Sequence, residues 1–126
     1  MPKKVPPTPS APHALGPYSF ATEVGGLVFL SGQVALDSAT GERRPDDIEI
    51  QTRQVMDNIG AILADLGLHY EDIAKSTIFL ADISDFPKVN DVYASYFGTE
   101  PPARSAIQAG ALPGGFLVEI EVVAAR

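Results

Sequence analysis

The stretch from Asp46 to Gly67, DDIEIQTRQVMDNIGAILADLG, decides the fold class. Val55, Ile59, Ile62, Leu63 and Leu66 fall at i, i+4, i+7, i+8 and i+11, which puts them on one face of an α-helix. Asp46 with Glu49 three residues later predicts a capping box at its start, and Gly67 stands where a glycine stop is expected. A helix with one apolar face needs a surface to lie on, and the flanking segments read as strands. Upstream, Tyr18 to Glu23 and Leu27 to Val34 are separated by Gly25-Gly26 and predict two strands joined by a tight turn. Asp37 to Arg44, with Ser38, Thr40 and Gly41, reads as a loop. Downstream, Ile73 to Ala81 predicts a third strand. Phe86, Val89, Tyr93, Tyr96 and Phe97 then recur at helical spacing, with Pro87 tolerated in the first turn. Arg104 to Gln108 and Leu117 to Ala125 predict the last two strands, linked through Pro113-Gly114-Gly115.

The order strand, strand, helix, strand, helix, strand, strand is an α+β pattern. Its simplest packing puts two helices on one face of a mixed sheet. The second face would be open in a monomer, which predicts self-association. The chain has 126 residues, enough for a single domain with one core, so residues 1–126 are read as one unit. Six of the eleven prolines stand at positions 2, 6, 7, 9, 12 and 17, so residues 1–17 predict an irregular N-terminal arm that cannot nucleate a helix.

Composition removes several functional classes. Nine basic against sixteen acidic residues give a net charge of −7, which opposes binding to phosphate backbones or anionic lipid. Zero cysteines exclude a disulfide framework, a thiolate nucleophile, an iron–sulfur cluster and every cysteine zinc motif. With only His13 and His69, a His-rich metal site is excluded too, and neither histidine earns a catalytic role. No glycine-rich nucleotide fingerprint or phosphate-cradling loop is present. The N-terminus lacks the apolar core of a signal peptide, and no apolar run is long enough for a bilayer span, so a cytoplasmic protein without membrane or nucleic-acid partners is expected.

Three residues stand out chemically. Arg104 begins the strand Arg104-Ser105-Ala106-Ile107-Gln108, where parity puts Arg104, Ala106 and Gln108 on one face and Ser105, Ile107 and Ala109 on the other. Beside such small neighbours a guanidinium has room for a carboxylate guest held by two parallel hydrogen bonds. The alternative is a surface arginine with a snorkelling stem. Glu119 shares a face with Glu121, opposite Val118, Ile120 and Val122. Either this is the wet face of an ordinary antiparallel strand, or one glutamate lines a polar cavity and orients or deprotonates a water. Asn90 lies inside the apolar stripe of the second helix, where a buried amide must find partners; backbone groups of a neighbouring strand are the simplest. Ser31, in Leu30-Ser31-Gly32-Gln33, lies outside any nucleophile elbow and reads as a turn residue.

Taken together, Leu15-Gly16-Pro17-Tyr18, Leu30-Ser31-Gly32-Gln33, Phe86-Pro87-Lys88-Val89-Asn90, Pro102-Ala103-Arg104-Ser105, Leu112-Pro113 and Val118-Glu119-Ile120-Glu121 resemble the RidA/YjgF family of enamine/imine deaminases. The match runs from about Pro12 to Arg126, and the order and spacing of the pieces carry it. The resemblance implies a chorismate-mutase-like subunit that forms a homotrimer with sites in the clefts between subunits. It implies hydrolysis of 2-imino or 2-enamino acids to 2-oxo acids and ammonia, without metal or other cofactor. Carried over by position, Arg104 would clamp the substrate carboxylate and Glu119 would hold the attacking water. Tyr18, Ser31, Asn90 and Ala106 would line the pocket. Many members carry cysteine where this chain has Ala106; the family's proposed mechanism uses the backbone carbonyl there to position the water, so implied hydrolysis survives the change. A non-catalytic trimer that senses small carboxylates is the alternative. RNA cleavage conflicts with the −7 charge and the lack of a basic stripe.

Overall fold

The computed structural model describes residues 2–11 and 14–126, so the sequence expectations for His13 and for the first matched residue, Pro12, lie outside the described residues. Five strands, β1 (Ala21–Val24), β2 (Leu27–Gln33), β3 (Ile73–Leu80), β4 (Ala103–Gln108) and β5 (Val118–Ala125), form one sheet in the order β1-β2-β5-β3-β4. β3 and β4 run parallel and the other neighbours antiparallel, so the sheet is mixed. Helices α1 (Ile48–Asp65) and α2 (Phe86–Ala94) contact each other, and α1 lies against β5 and β2. The α+β arrangement expected from element order is the one observed.

Packing explains the layers. Val55, Ile59, Ile62 and Leu63 of α1 are buried against Val28, Leu30, Ile78, Val118, Ile120 and Val122 of the sheet. Each fully buried aliphatic side chain of this kind contributes roughly 1.5–3 kcal/mol before conformational entropy is subtracted. The start of α1 differs by one residue from the sequence expectation. Asp47, not Asp46, is the N-cap, and its carboxylate accepts from Ile50 N at 3.0 Å, so the Asp46–Glu49 capping box is absent. Asp46 instead accepts from Arg43 and Gln51, both at 3.2 Å. At the other end Gly67 adopts φ 74°, and Leu68 N donates to Leu63 O, which closes the helix as a glycine stop should.

Strand edges also shift. β1 begins at Ala21 and not at Tyr18: Ser31 N still donates to Phe20 O, but the regular pairing with β2 starts at Ala21 opposite Leu30. Gly25 and Gly26 make the turn with φ 60° and 79°, a region that glycine enters without steric cost. The second helix stops at Ala94, so Tyr96 and Phe97 of the predicted stripe pack from beyond its end. The arm is irregular but tied down: Lys4 pairs with Glu23, and Ser10 donates through its backbone N and Oγ to Asp65 at 2.8 and 2.7 Å. No helix among the described residues is long and apolar enough to cross a membrane.

Among the described residues, no helix covers the opposite face of the sheet. Leu27, Phe29 and Ile107 on it are 41, 40 and 50% exposed. Lys75, Thr77, Glu119 and Glu121 share that face.

Candidate active site

Strand pairing settles where the two charged candidates point. Arg104 pairs with Ser76, whose buried hydroxyl accepts from Tyr93 Oη of α2 at 2.9 Å, so Arg104 stands on the helix-covered face at the β4 edge. Glu119 pairs with Phe79 and alternates with buried Val118 and Ile120, so it stands on the open face. Within one chain the two residues lie on opposite sides of the sheet.

Around Arg104 the surroundings are arranged and not incidental. Its Nη1 donates to Asn90 Oδ1 at 2.7 Å, and the guanidinium carbon lies 5.2 and 5.1 Å from the ring centroids of Phe86 and Tyr93. Rings at that distance attract a cation. Asn90 therefore serves the arginine, not a strand backbone; half-buried at the helix edge, it has an acceptor where a carboxylate would have neutralised the charge. No described acidic side chain pairs with Arg104, although the protein is strongly acidic. Arg104 is exposed, as a surface arginine would be, with its head group beside two rings and an amide. A cavity of about 440 Å³ beside it is lined by Asn90, Tyr93, Phe97, Pro102 and Arg104. Burial pushes the Tyr93 phenol above its ordinary value, and its bond to Ser76 and the Arg104 charge pull the other way.

Ala106 stands two residues along on the same face, half-buried. Ala109 N donates to Leu80 O at 2.8 Å. Counting back by twos along the parallel ladder turns the backbone groups of Ser105 and Ile107 toward β3. Those of Arg104, Ala106 and Gln108 face the free edge, where a carbonyl is available to a guest.

The second grouping surrounds Glu119. A groove of about 470 Å³ is lined by Tyr18, Ser31, Leu36, Phe116 and Glu119 among others. Gly32 leaves the space that the Glu119 carboxyl occupies: a Cβ on it would sit 2.4 Å from Glu119 Oε2, so a side chain there would push the carboxyl aside. Burial raises the Glu119 carboxyl above the ordinary glutamate value, and the Glu121 charge two residues on adds to the rise. Ser31 Oγ donates to Ser19 O at 2.6 Å, tying the loop before β1 to β2, so the hydroxyl's proton is already committed. Tyr18 is exposed on the rim, its ring edge-on to Phe20. The structure thus gathers the six sequence candidates into two groups. Arg104, Asn90 and Ala106 are at the β4 edge; Glu119, Tyr18 and Ser31 share the groove. His69 is exposed, and its backbone N–H donates to Asp72 Oδ2 at 2.8 Å at the start of a 3₁₀ turn.

Sequence reasoning passed over Gln51, fully buried, whose Oε1 accepts from Leu117 N at 2.9 Å and so fixes the chain two residues before Glu119. Nothing in the sequence singles it out, since Thr52 and Asn58 of the same helix are buried polar residues too.

With this geometry in place, comparison with known proteins becomes informative. The family model described as Endoribonuclease L-PSP matches residues 8–126. The chain belongs to this family, RidA/YjgF. Among RidA/YjgF relatives, the 2-iminobutanoate/2-iminopropanoate deaminase of Bos taurus is 44% identical over 98% of this chain and 90% of that protein. The structure of YyfA from Yersinia pestis, described as a conserved Rid family protein of unknown function, superposes with a TM-score of 0.95 at 48% identity, covering 99% of this chain and all of that one. The structure of E. coli TdcF with bound serine gives a TM-score of 0.90 at 39% identity over 98% of both chains.

Proposed function

We propose that this protein hydrolyses 2-imino acids, and their 2-enamino tautomers, to 2-oxo acids and ammonia. One observation carries the reading: on the surface of a −7 protein, an arginine with no acidic partner among the described residues lies near two aromatic rings and donates to a neutral amide. Such a guanidinium is kept for an anion from outside, and a planar fork suits a carboxylate. A relative that is a 2-iminobutanoate/2-iminopropanoate deaminase supplies the substrate class.

In this scheme Arg104 binds the substrate carboxylate and orients the imine carbon. Glu119 holds a water and takes a proton as its oxygen bonds to that carbon. Glu119 returns that proton to the nitrogen, which gives the carbinolamine; a second proton then passes from the carbinolamine hydroxyl through Glu119 to the nitrogen, the C–N bond breaks, ammonia leaves and the C=O bond forms. The imine carbon is already electrophilic, so orientation and proton transfer suffice. The Ala106 carbonyl at the free edge offers the water a second acceptor.

Because Arg104 and Glu119 stand on opposite faces of one sheet, the complete site requires two copies. The uncovered apolar face around Leu27, Phe29 and Ile107 supports a homotrimer of chorismate-mutase type, with each Arg104 edge seated against a neighbour's Glu119 groove. A sensor that binds small carboxylates without turnover would not need the raised carboxyl of Glu119. RNA cleavage fits poorly with −7 and with Glu119 in the groove. The test couples a threonine dehydratase to the protein in the presence of semicarbazide, which traps imine. Faster 2-oxo acid formation and less trapped product support the reading; no change in either defeats it.

The Glu119 carboxyl also predicts a pH effect. Glu121→Gln removes the smaller of the two causes that raise it, so the group ionises at lower pH. The acid limb of the kcat/KM profile, which reports the base of the free enzyme, is expected to move to lower pH. An unmoved limb would mean that Glu119 is not the titrating base.

A further inference from the structure

Both walls of the Glu119 groove converge on Arg43. On one side, its backbone bridges to Leu36, and Arg44 N donates to Ala35 O at 2.9 Å. Leu36 lines the groove. On the other side, the guanidinium donates from Nη1 to Gly114 O and from Nη2 to Gly115 O at 2.8 Å, and it lies 4.1 Å from the centre of the Phe116 ring. Gly114 and Phe116 line the same groove. Asp46 accepts from Nη2 at 3.2 Å and from buried Gln51 at 3.2 Å, and Gln51 in turn accepts from Leu117 N at 2.9 Å.

The segment being held has little order of its own. Gly114 and Gly115 both take positive φ, 76° and 70°, and only Gly115 N–H to Leu112 O closes a turn within it. Backbone of this kind has many alternatives open to it unless its carbonyls are fixed from outside. The Arg43 fork fixes two of them at once while its face covers Phe116. The side chain itself is 37% exposed, so it fills no core space.

We propose that Arg43 is a positioning residue that sets the width of the Glu119 groove and thereby its preference for substrates with larger apolar side chains. This rests on the imine-hydrolase reading above. Leu15, Val34, Leu36, Pro113 and Phe116 give the groove an apolar lining suited to an aliphatic side chain. A methyl group barely reaches such walls, whereas an isobutyl group contacts both. Arg43 does not touch the reacting atoms; it acts through the wall that it holds.

The experiment compares wild type with Arg43→Lys, which retains the charge and loses the fork and the stacking plane. KM and kcat are measured for 2-iminopropanoate and for 2-imino-4-methylpentanoate, beside calorimetric Kd values for the corresponding 2-oxo acids and a melting curve. The expected result is a rise of about 5- to 20-fold in KM and Kd for the larger ligand, with kcat and the smaller ligand within about threefold. Equal values for both proteins, or an equal loss for both ligands, would overturn the proposal. So would a drop in melting temperature that accounts for the whole loss. If Arg43→Lys does not fold, Asp46→Asn, which removes the carboxylate bracing the guanidinium, is measured in its place, and a smaller selective rise is expected. Binding without turnover by wild type would defeat the hydrolase reading and leave the Kd comparison to decide on Arg43. Neither binding nor turnover by wild type would overturn both.

Discussion

Arg104→Lys is expected to lower kcat/KM for 2-iminopropanoate by roughly 30- to 150-fold while leaving the melting curve near wild type. Lysine keeps the charge but replaces a planar fork with a point charge on a flexible stem. If Arg104 clamps the substrate carboxylate as proposed, one of two parallel hydrogen bonds to it is lost, and with it the contacts to Asn90, Phe86 and Tyr93. That costs about 2–3 kcal/mol of transition-state stabilisation, which gives the stated fall. Stability should hold because Arg104 is exposed at a strand edge and contributes no core packing. Steady-state kinetics with imine generated in situ check this. Activity within threefold of wild type would remove Arg104 from the site, and a melting temperature falling with activity would make it a structural residue.

Glu119→Gln should have the larger effect, a fall of about 10²- to 10⁴-fold in kcat, the usual worth of a positioned acid–base group. The stability change should go the other way. A carboxyl raised in the folded state binds its proton more tightly there than in the unfolded chain. Folding is therefore penalised as pH rises from the unfolded value through the folded one, and at neutral pH ionised Glu119 is a net cost. Glutamine mimics the neutral form and removes that cost, so the variant should melt at or above the wild-type temperature. An inactive protein that is no less stable is the signature of a functional strain. A variant that loses stability along with activity would instead place Glu119 among the structural residues.

Much of the fold was legible because its signals are local. The stripe from Val55 to Leu66 and the alternation through Val118, Ile120 and Val122 each report directly which side is buried. The glycine turn at Gly25-Gly26 and the stop at Gly67 were equally readable, since positive φ there suits glycine and little else. The cap was misplaced by one residue because adjacent aspartates offer the same chemistry. Only the loop before them decides which one faces Ile50 N and which is taken by Arg43.

The candidate site was legible in its residue types and not in its connections. Parity put Arg104 opposite Ser105, yet nothing in a strand pattern shows that Asn90 on α2 would meet it from fourteen residues away. Asn90 was read as a buried amide seeking backbone, and it became the brace of a cation. The pairing of Gly32 with Glu119 spans 87 positions and depends on the β2–β5 register, which breaks between Leu30 and Gln33. Arg43 carried no periodic or motif signal at all. It matters because the loop after β2 meets the turn before β5 at one end of the sheet, where the antiparallel pairing sets Gln33 beside Ile120, and such meetings belong to tertiary structure.

The central claim is that each site takes Arg104 from one copy and Glu119 from another, and mixing inactive subunits tests it most directly. Arg104→Ala and Glu119→Gln proteins are each purified, unfolded, mixed in equal amounts and refolded, with native mass spectrometry to confirm mixed trimers. If the two residues come from neighbouring copies, about one site in four in a random mixture unites an intact Arg104 with an intact Glu119, and roughly a quarter of wild-type activity returns. Mixed trimers with no activity beyond the sum of the two parents would contradict the composite site, and with it the account of how this fold hydrolyses an imine.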